Sequence, residues 1–327
     1  MRFDHFVDLA LYDPMEGFYV RGGRAGRRGD FLTSVEVGPL FGAVLARALD
    51  AWWDQLGQPD PFTVVEAGAG VGTLARAVHA AAPACQAQLK YVAVERSATL
   101  RAEHDGLRVQ SLAALPPDAF EGVILANELL DNLAFRVLER GPQGWLEVHV
   151  DLGTGTERLV EADSEAAAVA DRLVVDAPIG SRIPLQEHAS RWLREALNLL
   201  RRGRLVAFDY AVDTTSELAH RPVAEWLRTY RDQQRGLDPT EARGLQDITA
   251  EVALDQLQPA ATVLRLQADF LADHGIETLV AEGRAIWAER AHIGDLAALR
   301  ARSRIRESEA LTDPSGLGGF RVLEWVV

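Results

Sequence analysis

The stretch VVEAGAGVGTLARAV, Val64 to Val78, carries an apolar run, an acid, a glycine-rich turn and the start of a helix. A strand that enters a helix through glycines is the usual opening unit of an open α/β sheet, where ligands sit beyond the C-terminal strand ends. Gly68, Gly70 and Gly72 remove side chains where backbone must come close to a ligand. The dinucleotide fingerprint G-x-G-x-x-G fits Gly68 and Gly70 but meets Thr73 at its last position. The spacing acid, one residue, then G-x-G-x-G, as found in S-adenosyl-L-methionine (SAM) methyltransferases, fits Glu66 through Gly72. Charge favours the second choice. Glu66 beside a pyrophosphate is repelled, whereas a carboxylate beside a sulfonium and an ammonium is attracted.

Outward from this turn the rhythm is βαβ. KYVAVERS and FEGVILAN read as strands, GTLARAVHAAA and ATLRAEH as helices, and GLRVQS as a short third strand. The alternation predicts a parallel sheet with right-handed crossovers, a Rossmann-like α/β fold. Glu95 ends the second strand one βα unit after Glu66, where a carboxylate can accept both ribose hydroxyls of either cofactor class; the plainer reading is a strand-end acid in solvent. Leu112, after the third strand, is a candidate to lie on adenine, with an ordinary core leucine as the plainer reading.

AFRVLERGPQGWLEVHVD reads as a hairpin turning at Gly141-Pro142-Gln143-Gly144. LQEHASRWLREALNLLRRG reads as an amphipathic helix with Gly203 as its C-cap. The expected organisation is an N-terminal segment, 1–60, covering the site, then a sheet domain, 61–327. Insertions fall near 135–175 and 212–262.

With 34 basic against 48 acidic residues the net charge is −14, which argues against bulk nucleic-acid binding. One cysteine, Cys85, excludes an internal disulfide and a cysteine-based zinc cluster. The histidines form no HExxH or i, i+4 pair, so no metal site is expected. No apolar run is long enough for a membrane span. MRFDHFVDLALYDP shows no basic-then-apolar leader pattern, and the lone cysteine fits a reducing cytoplasm, the expected location.

Asn127, Glu128 and Asp131 lie at the end of the strand FEGVILAN, where chemistry sits in this fold. Glu128 and Asp131, three apart, share a face of a helical turn. Carboxylates there suit a guanidinium, which they accept bidentately while offsetting its charge. Asn127 is expected to contact the methionine end of SAM or to place Glu128. The alternative is a plain helix start with acids in its first turn. Asp209 ends RLVAFD and so points toward the same region. Asp30, Thr33, Ser34 and Glu36 form an N-terminal polar cluster that reads either as substrate entry or as a helix cap at Ser34. Asp247, a candidate catalytic carboxylate beside Glu128 and Asp131, and Thr249 pose the same choice between site and cap.

Several stretches together resemble the MidA-type class I SAM-dependent methyltransferases, the family that includes the mitochondrial complex I assembly arginine methyltransferase. ALYDPMEGFY (Ala10 to Tyr19) and GDFLTSVEVGPLFG (Gly29 to Gly42) are similar to its N-terminal motifs, and EAGAGVGTL to its cofactor motif. ANELLDNL (Ala126 to Leu133), VAFDYA (Val206 to Ala211) and GLQDITAEVAL (Gly244 to Leu254) resemble its later motifs. LQADFLADHGI (Leu266 to Ile276) and GLGGFRVL (Gly316 to Leu323) close the series in family order. The resemblance implies SAM as methyl donor and a protein as acceptor, at an arginine dimethylated symmetrically in the characterised eukaryotic case. Ala69 stands where the family motif has proline, and Leu129, Leu130, Asn132, Glu251 and Leu254 also depart from it. The departures lie mostly on the substrate side. They leave a non-catalytic scaffold, and more remotely a dinucleotide oxidoreductase, as rival readings.

Overall fold

The computed structural model describes residues 1–23, 33–231 and 234–327. The alternation that begins at Phe62 builds a seven-stranded sheet. Its strands are β1 (Phe62–Ala67), β2 (Leu89–Val94), β3 (Gln110–Leu112), β4 (Phe120–Asn127), β9 (Leu200–Asp209), β15 (Val263–Leu266) and β16 (Arg321–Val326), in the order β15-β16-β9-β4-β1-β2-β3. From β3 across to β9 every pairing is parallel, while β16 runs antiparallel to both β9 and β15. The chain lays β2 and β3 on one side of β1 and then returns to place β4 on the other. That reversal opens a crevice at the C-terminal ends of β1 and β4.

Helices cover both faces of this sheet, so its inner strands are apolar on both sides. All six residues of β1 are buried. Along β4, Val123 and Leu125 join one core while Ile124 and Ala126 join the other. Helices α3 (Pro39–Gln55) and α4 (Thr73–Ala81) pack on the first face, and α7 (Glu187–Leu197) packs on the second. Helix α3 begins at Pro39 after Gly38, so no side chain caps it locally. Glu307, from α12 (Leu296–Thr312), reaches across instead and accepts the Leu40 amide at 2.9 Å. A carboxylate at a helix N-terminus satisfies an orphan donor and complements the dipole.

Between β4 and β9 the chain builds a separate antiparallel sheet, β7-β6-β5-β8, from β5 (Arg136–Arg140), β6 (Trp145–Val150), β7 (Glu157–Glu161) and β8 (Arg182–Leu185). Strands β5 and β6 pair antiparallel across residues 141–144, the expected hairpin. Helix α6 (Ser164–Leu173) precedes β8. After β9 come β10 (Ala211–Val212), α8 (Thr215–Ala219), α9 (Val223–Trp226), β11 (Leu227–Arg231), β12 (Gln234–Arg235), β13 (Asp247–Ala250) and β14 (Val252–Ala253). Helix α1 (Phe3–Tyr12) shares a core with both insertions through Phe3, Phe6, Phe135, Val148, Leu218 and Trp226. The N-terminal sixty residues thus divide, α1 against the insertions and α3 against the main sheet. The remaining helices are α2 (Ser34–Val37), α5 (Ala98–Arg101), α10 (Gln267–Asp273) and α11 (Ile276–Arg290). Among the described residues no helix is long and apolar enough to cross a membrane.

Three local expectations need correction. Gly203 is not a C-cap: α7 ends at Leu197 and Gly203 lies inside β9. At φ 138° it sits where a Cβ would stand 1.8 Å from the Gly122 carbonyl oxygen, so close strand approach demands glycine there. Ser34 is not a cap either. Thr33 holds the N-cap position without a side-chain bond, and the Ser34 hydroxyl instead donates to Gln267 Oε1 at 2.9 Å. Asp247 and Thr249 do not start a helix. They lie within β13, and all four residues of that strand are buried.

Candidate active site

The glycine turn leaves β1 with Gly68, Gly70 and Gly72 at φ 72°, 52° and 76°. An L side chain in that left-handed region costs roughly 1–2 kcal/mol, so the alternating glycines let the backbone fold tightly against the crevice. Gly68 and Gly70 line a pocket there; Gly72 does not. A Cβ on Gly72 would stand 2.7 Å from Leu107 Cδ1, so its role is packing behind the turn. Beside Gly70 a Cβ would meet no atom of the described residues within 4 Å.

Four acidic or amide residues from neighbouring strand ends line the same pocket: Glu66, Glu95, Asn127 and Glu128. Glu66 is buried in β1 and accepts the Tyr91 hydroxyl at 2.8 Å; burial pushes its carboxyl up to about 8. Glu95 accepts the amides of Gly70 (3.0 Å) and Ser97 (2.7 Å), and burial raises it as well. Glu128 follows β4 at φ 50°, a conformation uncommon for a residue with a side chain. Its Oε1 accepts the Ser34 amide and Asn127 Nδ2, each at 3.1 Å, and burial pushes it up to about 8. Asn127 Oδ1 is buried without a partner among the described residues.

Thr33 and Glu36 also line the pocket, as do Tyr12 and Tyr19. The two tyrosines stack with centroids 5.2 Å apart, and the Arg96 guanidinium lies 4.2 Å from the Tyr12 centroid on β2's side. Neither tyrosine was singled out from the sequence as a site residue, although both lie in ALYDPMEGFY. The signal was there, but only the fold brings that segment to the crevice. Asp30 lies outside the described residues.

Other expected residues stand behind the wall. Leu112 packs into the core beneath the sheet, and only its carbonyl approaches, accepting the Glu95 amide at 3.0 Å. It is absent from the pocket lining, which favours the core reading over adenine contact. Asp131 is buried out of the pocket, and Asp209 accepts the Leu130 amide at 2.9 Å, pinning the turn that carries Glu128. Burial pushes Asp209 up to about 7, and burial with Asp209 and Glu128 nearby raises Asp131 well above the carboxylate range. Asp247 Oδ1 takes Asn132 Nδ2 at 2.8 Å and lies 3.0 Å from the Tyr19 hydroxyl. Asn132 lines the pocket, so Asp247 reaches it through Asn132 and Tyr19.

A family model described as "Putative S-adenosyl-L-methionine-dependent methyltransferase" matches residues 44–270, which is more than half of the chain. The chain belongs to this methyltransferase family. A crystal structure from Burkholderia thailandensis, described as a "likely methyl transferase" bound to S-adenosyl-homocysteine, is 30% identical. It superposes with a TM-score of 0.84 over all of this chain and 88% of that one. The mitochondrial protein arginine methyltransferase of Danio rerio is 26% identical over 321 residues, covering 84% of this chain and 72% of the relative. The Drosophila melanogaster homologue is 41% identical over 73 residues, only 17% of its length. The Rossmann-like fold and the cofactor read from the glycine turn therefore stand, and a dinucleotide does not.

The residues present fit SAM as the family's cofactor. Among the described residues the space beside Gly70 is open and Asn127 Oδ1 is a buried acceptor without a partner, while Glu66 lines the pocket as a carboxylate for the cationic part of the ligand and Glu95 as one for its ribose hydroxyls. Among the described residues no group of His, Cys, Asp or Glu is arranged to hold a metal.

The raised carboxyls make stability depend on pH. Each is raised above its unfolded value, so the stability it contributes is present at low pH and is lost as pH climbs through the folded value. Depressed acids such as Asp163 titrate below this range. His79 and His274 are lowered by burial, and their contribution is complete above the ordinary histidine value. Between pH 7 and 9 the carboxyls therefore dominate. The melting temperature of the ligand-free protein is expected to fall across that interval, and Glu66→Gln to flatten the fall. A flat wild-type profile in scanning calorimetry contradicts burial of these acids.

Proposed function

We propose that this chain is an active methyltransferase whose acceptor is an arginine side chain of a protein. SAM, when bound, supplies the methyl group. The observation that carries the reading is Glu128. One oxygen is fixed by two donors, while Oε2 has no partner among the described residues and the side chain lines the same pocket as the glycine turn. A guanidinium brings donors to a carboxylate so placed, and its charge draws the proton off a carboxyl held near 8. Glu128 then orients one guanidinium nitrogen and receives the proton that nitrogen loses on methylation. Glu36 and Thr33 lie at the same pocket and would flank the incoming side chain. Ser34 acts through its amide, which holds Glu128.

Glu66, Glu95, Gly68, Gly70 and Asn127 are assigned to the cofactor. Asp131, Asp209 and Asp247 support the wall behind Glu128. The relatives named protein arginine methyltransferases support the acceptor. The test is transfer of labelled methyl from SAM onto proteins of a lysate, followed by hydrolysis and amino-acid analysis. Label is expected in methylated arginine. Label confined to other residues, or none, rejects the acceptor.

A further inference from the structure

His104 is a buried imidazole in a family not expected to use a metal here, and neither the cofactor nor the acceptor reading employs it. It closes the short helical turn 102–104 after α5 and is 4% exposed. Its Nε2 lies 2.8 Å from the Gly70 carbonyl oxygen, and its Nδ1 lies 2.8 Å from the Ser111 hydroxyl in β3. A carbonyl oxygen only accepts, so Nε2 carries the proton; in the neutral ring Nδ1 then accepts from Ser111. On its other side Gly70 donates its amide to Glu95. Both polar groups of the residue at the tip of the cofactor turn are thus held. One bond comes from the pocket and the other from behind it, since His104 does not line the pocket.

Such a clamp has a physical purpose. Gly70, at φ 52°, has no side chain to anchor it, and glycine backbone reorients easily. If its carbonyl swung forward, an acceptor oxygen would enter the space a ligand must fill. We infer that His104 is a positioning residue for the cofactor: it ties the Gly70 carbonyl away from the pocket and so pre-organises the turn. Ser111 is the strut that orients the ring. Pre-organisation raises affinity by removing an ordering cost at binding. The inference rests on SAM as the ligand of the turn, but the clamp itself can be observed without ligand.

The discriminating pair is His104→Gln and His104→Asn. Glutamine places its amide nitrogen near the position of Nε2 and keeps a donor for Gly70. Asparagine is too short to reach that carbonyl but keeps polarity and similar bulk, so general packing losses are shared. In titration calorimetry His104→Asn is expected to bind SAM at least about tenfold more weakly than wild type, the effect of one buried hydrogen bond lost. His104→Gln is expected to stay within about threefold. In ligand-free protein, amide exchange at residues 70–72 is expected to quicken in His104→Asn and not in His104→Gln. Equal affinity and equal exchange in the two variants overturn the inference. If wild-type protein fails to bind SAM, the cofactor reading falls, and exchange alone then decides the clamp. Should His104→Asn not fold, Ser111→Ala, which frees the ring, replaces it: weakened affinity supports the clamp and unchanged affinity refutes it.

Discussion

Gly70→Val is expected to abolish SAM binding while leaving the protein folded. The two halves of that expectation have different causes. Among the described residues no atom lies within 4 Å of where a Cβ on Gly70 would stand, so the branch point of the new side chain meets no clash there. The cost to the fold is backbone strain, roughly 1–2 kcal/mol for an L residue in the left-handed region. The space it fills is pocket, however, and a branched side chain there excludes the ligand. A loss of at least about 100-fold, equivalent to about 3 kcal/mol, is expected in calorimetric titration. Gly72→Val is the control. Its Cβ would stand 2.7 Å from Leu107 Cδ1, so it should lower the melting temperature more and affect the ligand less directly. If Gly70→Val binds SAM like wild type, the turn does not hold the cofactor.

The same pair of glycines shows what the sequence could reveal. Their spacing predicted a turn against a ligand, because the need for left-handed backbone is local and leaves glycine in the sequence. Glu66, Glu95, Asn127 and Glu128 were legible for a related reason: they end strands of a parallel sheet, and such ends converge on one crevice. What the sequence concealed depends on distant contacts. The requirement at Gly203 comes from Gly122, in a neighbouring strand, so the residue read as a helix cap. Asp247 and Thr249 sit in a strand paired with β11, and their DxT pattern looked like a cap only in one dimension. Leu112 ends the right strand, but its side chain takes the core side of the sheet. Tyr12 and Tyr19 reach the pocket because α1 packs on the two insertions, an arrangement no local pattern encodes.

The strain at Glu128 gives this residue a particular interest. Among the strand-end acids of the pocket it alone combines left-handed backbone with a side chain. Such geometry persists only where its surroundings hold it. Here the Phe208 carbonyl takes its amide at 2.8 Å, and Ser34 and Asn127 fix Oε1. The arrangement fixes Oε1 and leaves Oε2 without a partner among the described residues, on a side chain that lines the pocket. Glu128→Gln keeps the shape and removes the charge. Methyl transfer to arginine is therefore expected to fall roughly 10²–10³-fold, the scale seen when one charge-stabilising group is removed from an active site. SAM affinity should change little, because Glu66 and Glu95 remain.

A pH profile separates this role from a merely structural one. The carboxyl sits at about 8 in the free protein, so near neutrality most of it is protonated. Only the ionised form attracts a guanidinium and accepts its proton. At saturating SAM, kcat/KM for the arginine substrate reports the ionisations of the enzyme–SAM complex. It should therefore rise with pH and level off once Glu128 is ionised there, at or below the pH found for the ligand-free protein, because the cationic cofactor favours the carboxylate. Glu128→Gln should lose that limb as well as the rate. A variant that is slower yet keeps the rising limb would assign the ionisation to another group, with Glu66, also near 8, the first to examine. A variant with full activity would remove Glu128 from the chemistry and leave Asp247, linked to the pocket through Asn132 and Tyr19, as the next acid to test.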